Sequence, residues 1–218
     1  MRFVDDDARK AFDQAIVAIE AASSGEAVVA VRARSARYSH VHAAVAAIGA
    51  LGMLAYTLYA EQVFSLLWIL LLPLATGSAG ALLVEAVPAL RRVTTSRQQR
   101  EQATRRAARA TFVELCVHHT SGRTGMLFYF SVLERCCVVV GDQAVVAVVS
   151  AAELAALEAD LSKVMRHGGA ATARAMQRVV PLLKALPRAT DDRNELPDAI
   201  DVAVGRSAFR ARLFGGRA

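Results

Sequence analysis

TSGRTGMLFYFSVLERCCVVVGDQAV, residues 120–145, decides the fold. A polar, glycine-flanked loop enters an apolar run, and the chain turns through Leu133-Glu134-Arg135. A second run then carries it back to Asp142. Val, Phe and Tyr favour a pleated surface packed on one or both sides, so the stretch predicts two strands, about 125–132 and 135–141. Gln143 to Val149 keeps the β-branched character and extends the predicted sheet.

Downstream, Ser150 and Glu153 have the spacing of a capping box. They open a helix carrying Leu154, Leu157, Leu161 and Val164, which Gly168-Gly169 closes. A further helix is expected over about 170–186, with Pro181 as a kink and Pro187 as a boundary. From Asp191 the chain is polar and arginine-rich, a tail expected to be loosely ordered past Asn194.

Upstream, an arginine-rich helix is expected over 97–118, burying Phe112, Leu115 and Cys116. At the N-terminus Asp5, Asp6 and Asp7 place negative charge where a helix start favours it. Phe12, Ile16 and Ile19 recur at helical spacing, Ser23-Ser24-Gly25 stops the run, and residues 26–33 form a strand. Helix, strand, helix, strand, strand, helix, helix is the order of an α/β layered domain on one mixed sheet.

Between the first strand and the arginine-rich helix lie two uncharged runs, VHAAVAAIGALGMLAYTLYA (41–60) and VFSLLWILLLPLATGSAGALLV (63–84). About 20 apolar residues in a helix cross the ~30 Å hydrocarbon layer, so they predict a two-helix transmembrane hairpin inserted into the domain. Overall composition agrees, with 55% hydrophobic residues against the usual ~45–50%. The segments are therefore 1–38 (first part of the domain), 39–86 (hairpin), 87–190 (remainder) and 191–218 (tail).

Arg32, Arg34 and Arg37 precede the hairpin, and Arg91, Arg92, Arg97, Arg100, Arg105, Arg106 and Arg109 follow it, while the turn Glu61-Gln62 has no positive charge. The positive-inside rule then places both termini in the cytoplasm and the turn outside, a two-pass protein of a bacterial-type inner membrane. Arg91, Arg92, Arg97 and Arg100 are expected at the membrane surface, where each basic residue adds about 1 kcal/mol of attraction to anionic lipid. A partner's acidic surface is a second use for these charges. Nucleic acid is disfavoured, because no aromatic interleaving or known module accompanies the charge. Gly77 and Gly80, like Gly49 and Gly52, offer small faces for close helix contact, within the hairpin or between copies. Residues 1–7 are acidic and lack an apolar core, so no signal peptide is expected. Cys116, Cys136 and Cys137 have no zinc spacing and read as buried free thiols.

Asp142 ends a strand beside a loop, a place where α/β proteins bind ligands. As a metal ligand or general base it needs partners, with Glu26 and Thr120 the nearest candidates; otherwise it caps nearby amides. Arg123 and Thr124 are candidates to hold an anion. His118-His119 lacks a third ligand at zinc spacing, and Glu134-Arg135 reads as a hairpin turn with an exposed ion pair.

Three stretches together, AIVAIEAASSGEAVVAV (15–31), FVELCVHHTSGRTGMLFYFSVLERCCVVVGDQAV (112–145) and DDRNELPDAI (191–200), resemble the TPM domain family. Thr120, Arg123, Thr124, Gly125, Glu134, Arg135 and Asp142 match its motif positions, and Asn194 to Asp198 resemble the closing motif of a membrane branch. The resemblance covers about three quarters of the chain. It implies a three-layer α/β/α sandwich, often membrane-tethered, associated with assembly or repair of membrane complexes, with accessory roles and with weak phosphatase activity in some members. Some members bind calcium through an acidic loop. Acidic positions here are sparse: a Ca²⁺ site takes six to eight oxygens, so no cofactor is expected, with Ca²⁺ or Mg²⁺ at Asp142 the single cation candidate.

The expected function is a membrane-anchored binding or accessory module for another membrane protein. A weak metal-dependent phosphatase or hydrolase centred on Asp142 is the alternative, and a self-associating membrane scaffold is the third.

Overall fold

The computed structural model describes residues 3–36, 38–87, 95–186 and 200–203. The chain divides into two units, Met1–Ala36 with Arg100–Ala218, and Arg37–Gln99. Arg91, Arg92 and the stretch Asn194 to Asp198 lie outside the described residues.

The α/β unit opens with helix α1, Asp6–Ala22. Asp5 caps it by accepting from the Ala8 N–H at 2.8 Å, and Ser23 closes it by donating to the Ile19 carbonyl. Strand β1 is Glu26–Arg32, β2 is Gly125–Ser131 and β3 is Cys136–Gly141. A short strand β4, Asp201–Ala203, completes a four-stranded mixed sheet in the order β3-β2-β1-β4. β1 runs parallel to β2, from Glu26 opposite Gly125 to Arg32 opposite Ser131, and parallel to β4 from Ala30 opposite Asp201. β2 and β3 form an antiparallel hairpin, with Ser131 opposite Cys136.

All seven residues of β2 and the first six of β1 are buried. Strands covered on both faces carry continuous apolar runs, which explains why neither strand alternates. One face of the sheet packs Val29, Val31, Phe128 and Phe130 against Phe12, Ile16 and Ile19 of α1, with Leu157 and Leu161 in the same core. The other packs Val28, Ala30, Leu127, Tyr129 and Val138 against Ala108 and Val117. Ala108 belongs to the arginine-rich helix, numbered α4 and spanning Arg97–Glu114.

Helix α4 stops four residues short of the expected end at 118. Cys116 has φ 53°, the Val117 N–H reaches back to the Phe112 carbonyl, and the Cys116 N–H bonds Val113. This is a Schellman closure with cysteine where glycine is usual, locked by buried Val117 beside Phe112. Cys116 is consequently exposed rather than buried.

After β3 come helices α5 (Gln143–Val148), α6 (Ala151–Val164) and α7 (Gly169–Met176). Gln143–Val149 therefore does not extend the sheet. Asp142 caps α5 and draws this β-branched segment into a helical turn. The capping box on α6 forms as expected, with Ser150 and Glu153 bonding reciprocally. The expected helix over 170–186 is instead α7 followed by a 3-10 segment, Gln177–Leu183, that contains Pro181. A looser bonding pattern accommodates a residue without an N–H. Part of the expected loose tail is β4.

In the second unit, α2 is Ser39–Tyr59 and α3 is Leu66–Ala86. Val41–Tyr59 and Leu66–Ala86 are long and apolar enough to cross a membrane. The two helices pack on each other through small residues. A Cβ added to Gly77 would lie 2.8 Å from the Ala46 carbonyl oxygen, and one on Gly80 would lie 3.3 Å from Val45 Cγ1. The face offered by Gly77 and Gly80 is thus occupied within the hairpin. Their outward residues, among them Ile48, Leu51, Leu70, Leu74 and Leu82, are exposed. His42 links the helix ends, with Nε2 2.9 Å from Glu85 Oε2 and Nδ1 3.0 Å from the Tyr38 carbonyl oxygen.

Candidate functional site

The loop from Thr120 to Gly125 folds on itself. Thr120 Oγ1 accepts from the Thr124 N–H at 3.0 Å, and the Thr120 carbonyl accepts from the Arg123 N–H at 3.1 Å. Arg123 takes φ 52° to close the turn, and its carbonyl accepts from the Ala144 N–H. Gly125 then passes so near Val117 that a Cβ would lie 2.0 Å from the Val117 carbonyl oxygen, so only glycine fits. The Asp142 N–H donates to the Gly125 carbonyl at 2.8 Å, and the Glu26 N–H donates to the Thr124 carbonyl at 3.3 Å.

Glu26, Thr120, Arg123, Thr124 and Asp142 are therefore brought to one end of the sheet. Within the loop, Thr120 Oγ1 is committed to the Thr124 amide. Thr120 and Thr124 are buried, as is Glu26. Asp142 Oδ1 accepts from the Gln143 N–H at 2.8 Å. Asp142 Oδ2 is buried, accepts no hydrogen bond, and lies 3.8 Å from Arg123 Nη1. The Arg123 side chain is more than half exposed while that of Asp142 is largely buried, and at 3.8 Å with one partner in water the pair contributes at most about 1 kcal/mol.

This end is also the wrong one for the expected ligand position. β3 is antiparallel to β2, so Asp142, at the end of β3, sits beside the amino ends of the parallel strands β1 and β2. Ligands of open α/β sheets bind at the carboxyl ends. The residues do not suit a divalent cation either. A positive guanidinium occupies the space beside the one spare Asp142 oxygen, and six to eight oxygens are needed for Ca²⁺. Among the described residues, no group of three His, Cys, Asp or Glu side chains converges.

The carboxyl ends of the parallel strands hold a polar network not anticipated from sequence. Ser35 Oγ lies 2.7 Å from Ser131 Oγ and 3.3 Å from the Tyr129 hydroxyl. Glu134 accepts from the Ser35 N–H at 3.1 Å and from the Ser131 hydroxyl. Glu134 is buried, so it is not half of an exposed turn pair; Arg135 instead supplies the turn's positive φ of 50°. Burial raises the Tyr129 phenol pKa, opposed by its bond to Ser35. Beside this network, Arg32 pairs with Asp201 at 2.7 Å. The sequence signal available was Ser131 three residues before Glu134, the spacing at which a turn side chain returns to its own strand.

At the edge of the sheet, β3 is closed off by α6. Glu158 Oε1 accepts from the Val139 N–H at 3.0 Å, and Ser162 Oγ accepts from the Cys137 N–H at 2.8 Å. Arg105 of α4 grips Glu158 with both nitrogens, at 2.6 and 3.3 Å. Burial raises the thiol pKa of Cys136, and that of Cys137 far more, so both are poor nucleophiles. His118 stacks near Phe112 and His119, a packing arrangement rather than a ligand set.

No family model matches the chain, and no curated protein matches it. Among solved structures it is similar to the NMR structure of the BA42 protein from the psychrophilic bacterium Bizionia argentinensis. The TM-score is 0.56 at 16% identity, covering 93% of this chain and 97% of that one. At this identity the likeness concerns the fold alone, a mixed α/β architecture.

Proposed function

We propose that the chain is a two-pass membrane protein of the inner-membrane type, whose TPM-like α/β unit is a cytoplasmic binding or accessory module for another membrane protein. The observation that carries this reading is the apolar outer surface of α2 and α3. Ile48 is 72% exposed, Leu70 62% and Leu82 69%, a sheath far larger than a water-soluble surface tolerates. The arginine-rich flanks support the orientation. For the α/β unit, Thr120 Oγ1 and Asp142 Oδ1 are committed to backbone amides, which favours recognition by surface over chemistry at Asp142. The unbonded Asp142 Oδ2 favours hydrolysis. Phosphoester turnover abolished by Asp142→Asn in a folded protein would establish that rival.

Cys116 supplies a native reporter of orientation. In bacterial cells expressing the full chain, a membrane-impermeant maleimide is expected to label Cys116 in inverted vesicles and to spare it in intact spheroplasts. The chain should stay in the membrane pellet through carbonate extraction. Labelling from outside would overturn the cytoplasmic orientation, and release by carbonate would overturn the membrane reading. Crosslinking in the same membranes should capture a second membrane protein, and capture of nothing beyond the chain itself would remove the accessory role.

A further inference from the structure

The arginines of α4 are not equivalent. Thr104, Ala108 and Thr111 are its buried positions. The opposite face carries Gln98, Gln102, Arg106, Arg109 and Val113, all exposed. Arg105 leans aside to hold Glu158, so its charge is spent within the fold. Arg106 and Arg109, by contrast, have no acidic partner among the described residues, and no acid shares their strip. Glu114 lies a third of a turn away, by the 100° step of a helix.

We infer that the outward strip of α4, with Arg106 and Arg109 as its charges, binds the headgroups of anionic phospholipid. This rests on the membrane reading above and adds to it the face of α4 and the two residues that make the contact. Two observations favour lipid as the occupant. The strip is cationic and amide-rich with a single small apolar residue, Val113, which suits contact with headgroups rather than insertion into the acyl layer. Moreover, α4 begins at Arg97 and α3 ends at Ala86, and the intervening ten residues reach at most about 36 Å. A strip tethered so closely to an embedded helix meets lipid headgroups at very high effective concentration.

The test uses the full chain in nanodiscs of phosphatidylcholine alone or with one third phosphatidylglycerol. A fluorophore is placed at Gln102→Cys in a Cys116→Ser background, and quenching by a headgroup spin-labelled lipid reports proximity. Quenching is expected to be stronger with phosphatidylglycerol. Arg106→Gln with Arg109→Gln should abolish that difference, with contact weakened about fivefold per arginine, and raised salt should do the same. Arg105→Gln should leave it intact, which separates lipid contact from any general loss of structure. Equal quenching in the two lipids, or a difference that survives the Arg106/Arg109 substitutions, would overturn the inference while the anchored chain still elutes with the discs. An acidic protein or a nucleic acid as the true occupant would give that result. A chain that does not elute with the discs would overturn the membrane reading as well.

Discussion

Gly125 shows how much one residue can decide. Spacing in the sequence alone gives no reason for it. The structure does: the strand entry crosses the Val117 carbonyl with no room for a side chain. Gly125→Ala is expected to cost about 2–3 kcal/mol, the scale of overpacking against rigid backbone. Denaturant unfolding of the full chain in detergent checks this, and an unchanged midpoint would refute it. Asp142 was legible as either a ligand or a cap, and the cap is what its Oδ1 forms. Glu134 was only half legible: its spacing from Ser131 hints at a return to the strand but not at burial. A charged residue in a polar turn looks solvated until Ser35, almost a hundred positions earlier, closes over it. Cys116 is similar, since nothing local announces that a cysteine will take the left-handed position of a helix stop.

At the level of elements, β1, β2, β3 and α6 could be read directly, because their apolar runs and capping box agree with their final surroundings. The segment Gln143–Val148 could not. Its composition favours a strand, yet the β2–β3 pairing already ends at Gly141, and the Asp142 cap turns the next residues into α5. β4 is three residues long, too short to carry a period. The edge of β3 is a further matter of elements. An exposed edge is an invitation to pair with another chain, and here the Val139 and Cys137 amides are already taken by Glu158 and Ser162. Glu158→Ala is predicted to strand the Val139 amide and release Arg105, a loss of about 2–3 kcal/mol. Glu158→Gln, which keeps an acceptor, should lose less. Thermal melts of the two variants test the order; equal losses would show that the amide contact contributes nothing.

At the scale of the molecule, the two long apolar helices were plain in the sequence, as was a mixed α/β domain split around them. The role of Gly77 and Gly80 was open until α2 was seen filling their face, which makes their replacement a probe of the hairpin and not of association between copies. The polar residues that the sequence suggests as a site lie at one end of the sheet, and what that placement means depends on strand direction. Only the antiparallel return of β3 shows that the group sits away from the carboxyl ends of β1 and β2.

The central position of β1 has a consequence in time. It is synthesised before its neighbours on both sides, β2 and β4, which emerge only after the whole hairpin has been made. For that interval a strand with a five-residue apolar run, residues 27–31, has no ladder to join, and such unpaired segments invite misassembly. Ribosome-stalled chains should show it. With residue 124 just clear of the exit tunnel, β1 should be open to protease or held by a chaperone, and with residue 186 clear it should be protected. Early protection would mean that the nascent chain shelters β1 by some other contact before its sheet exists.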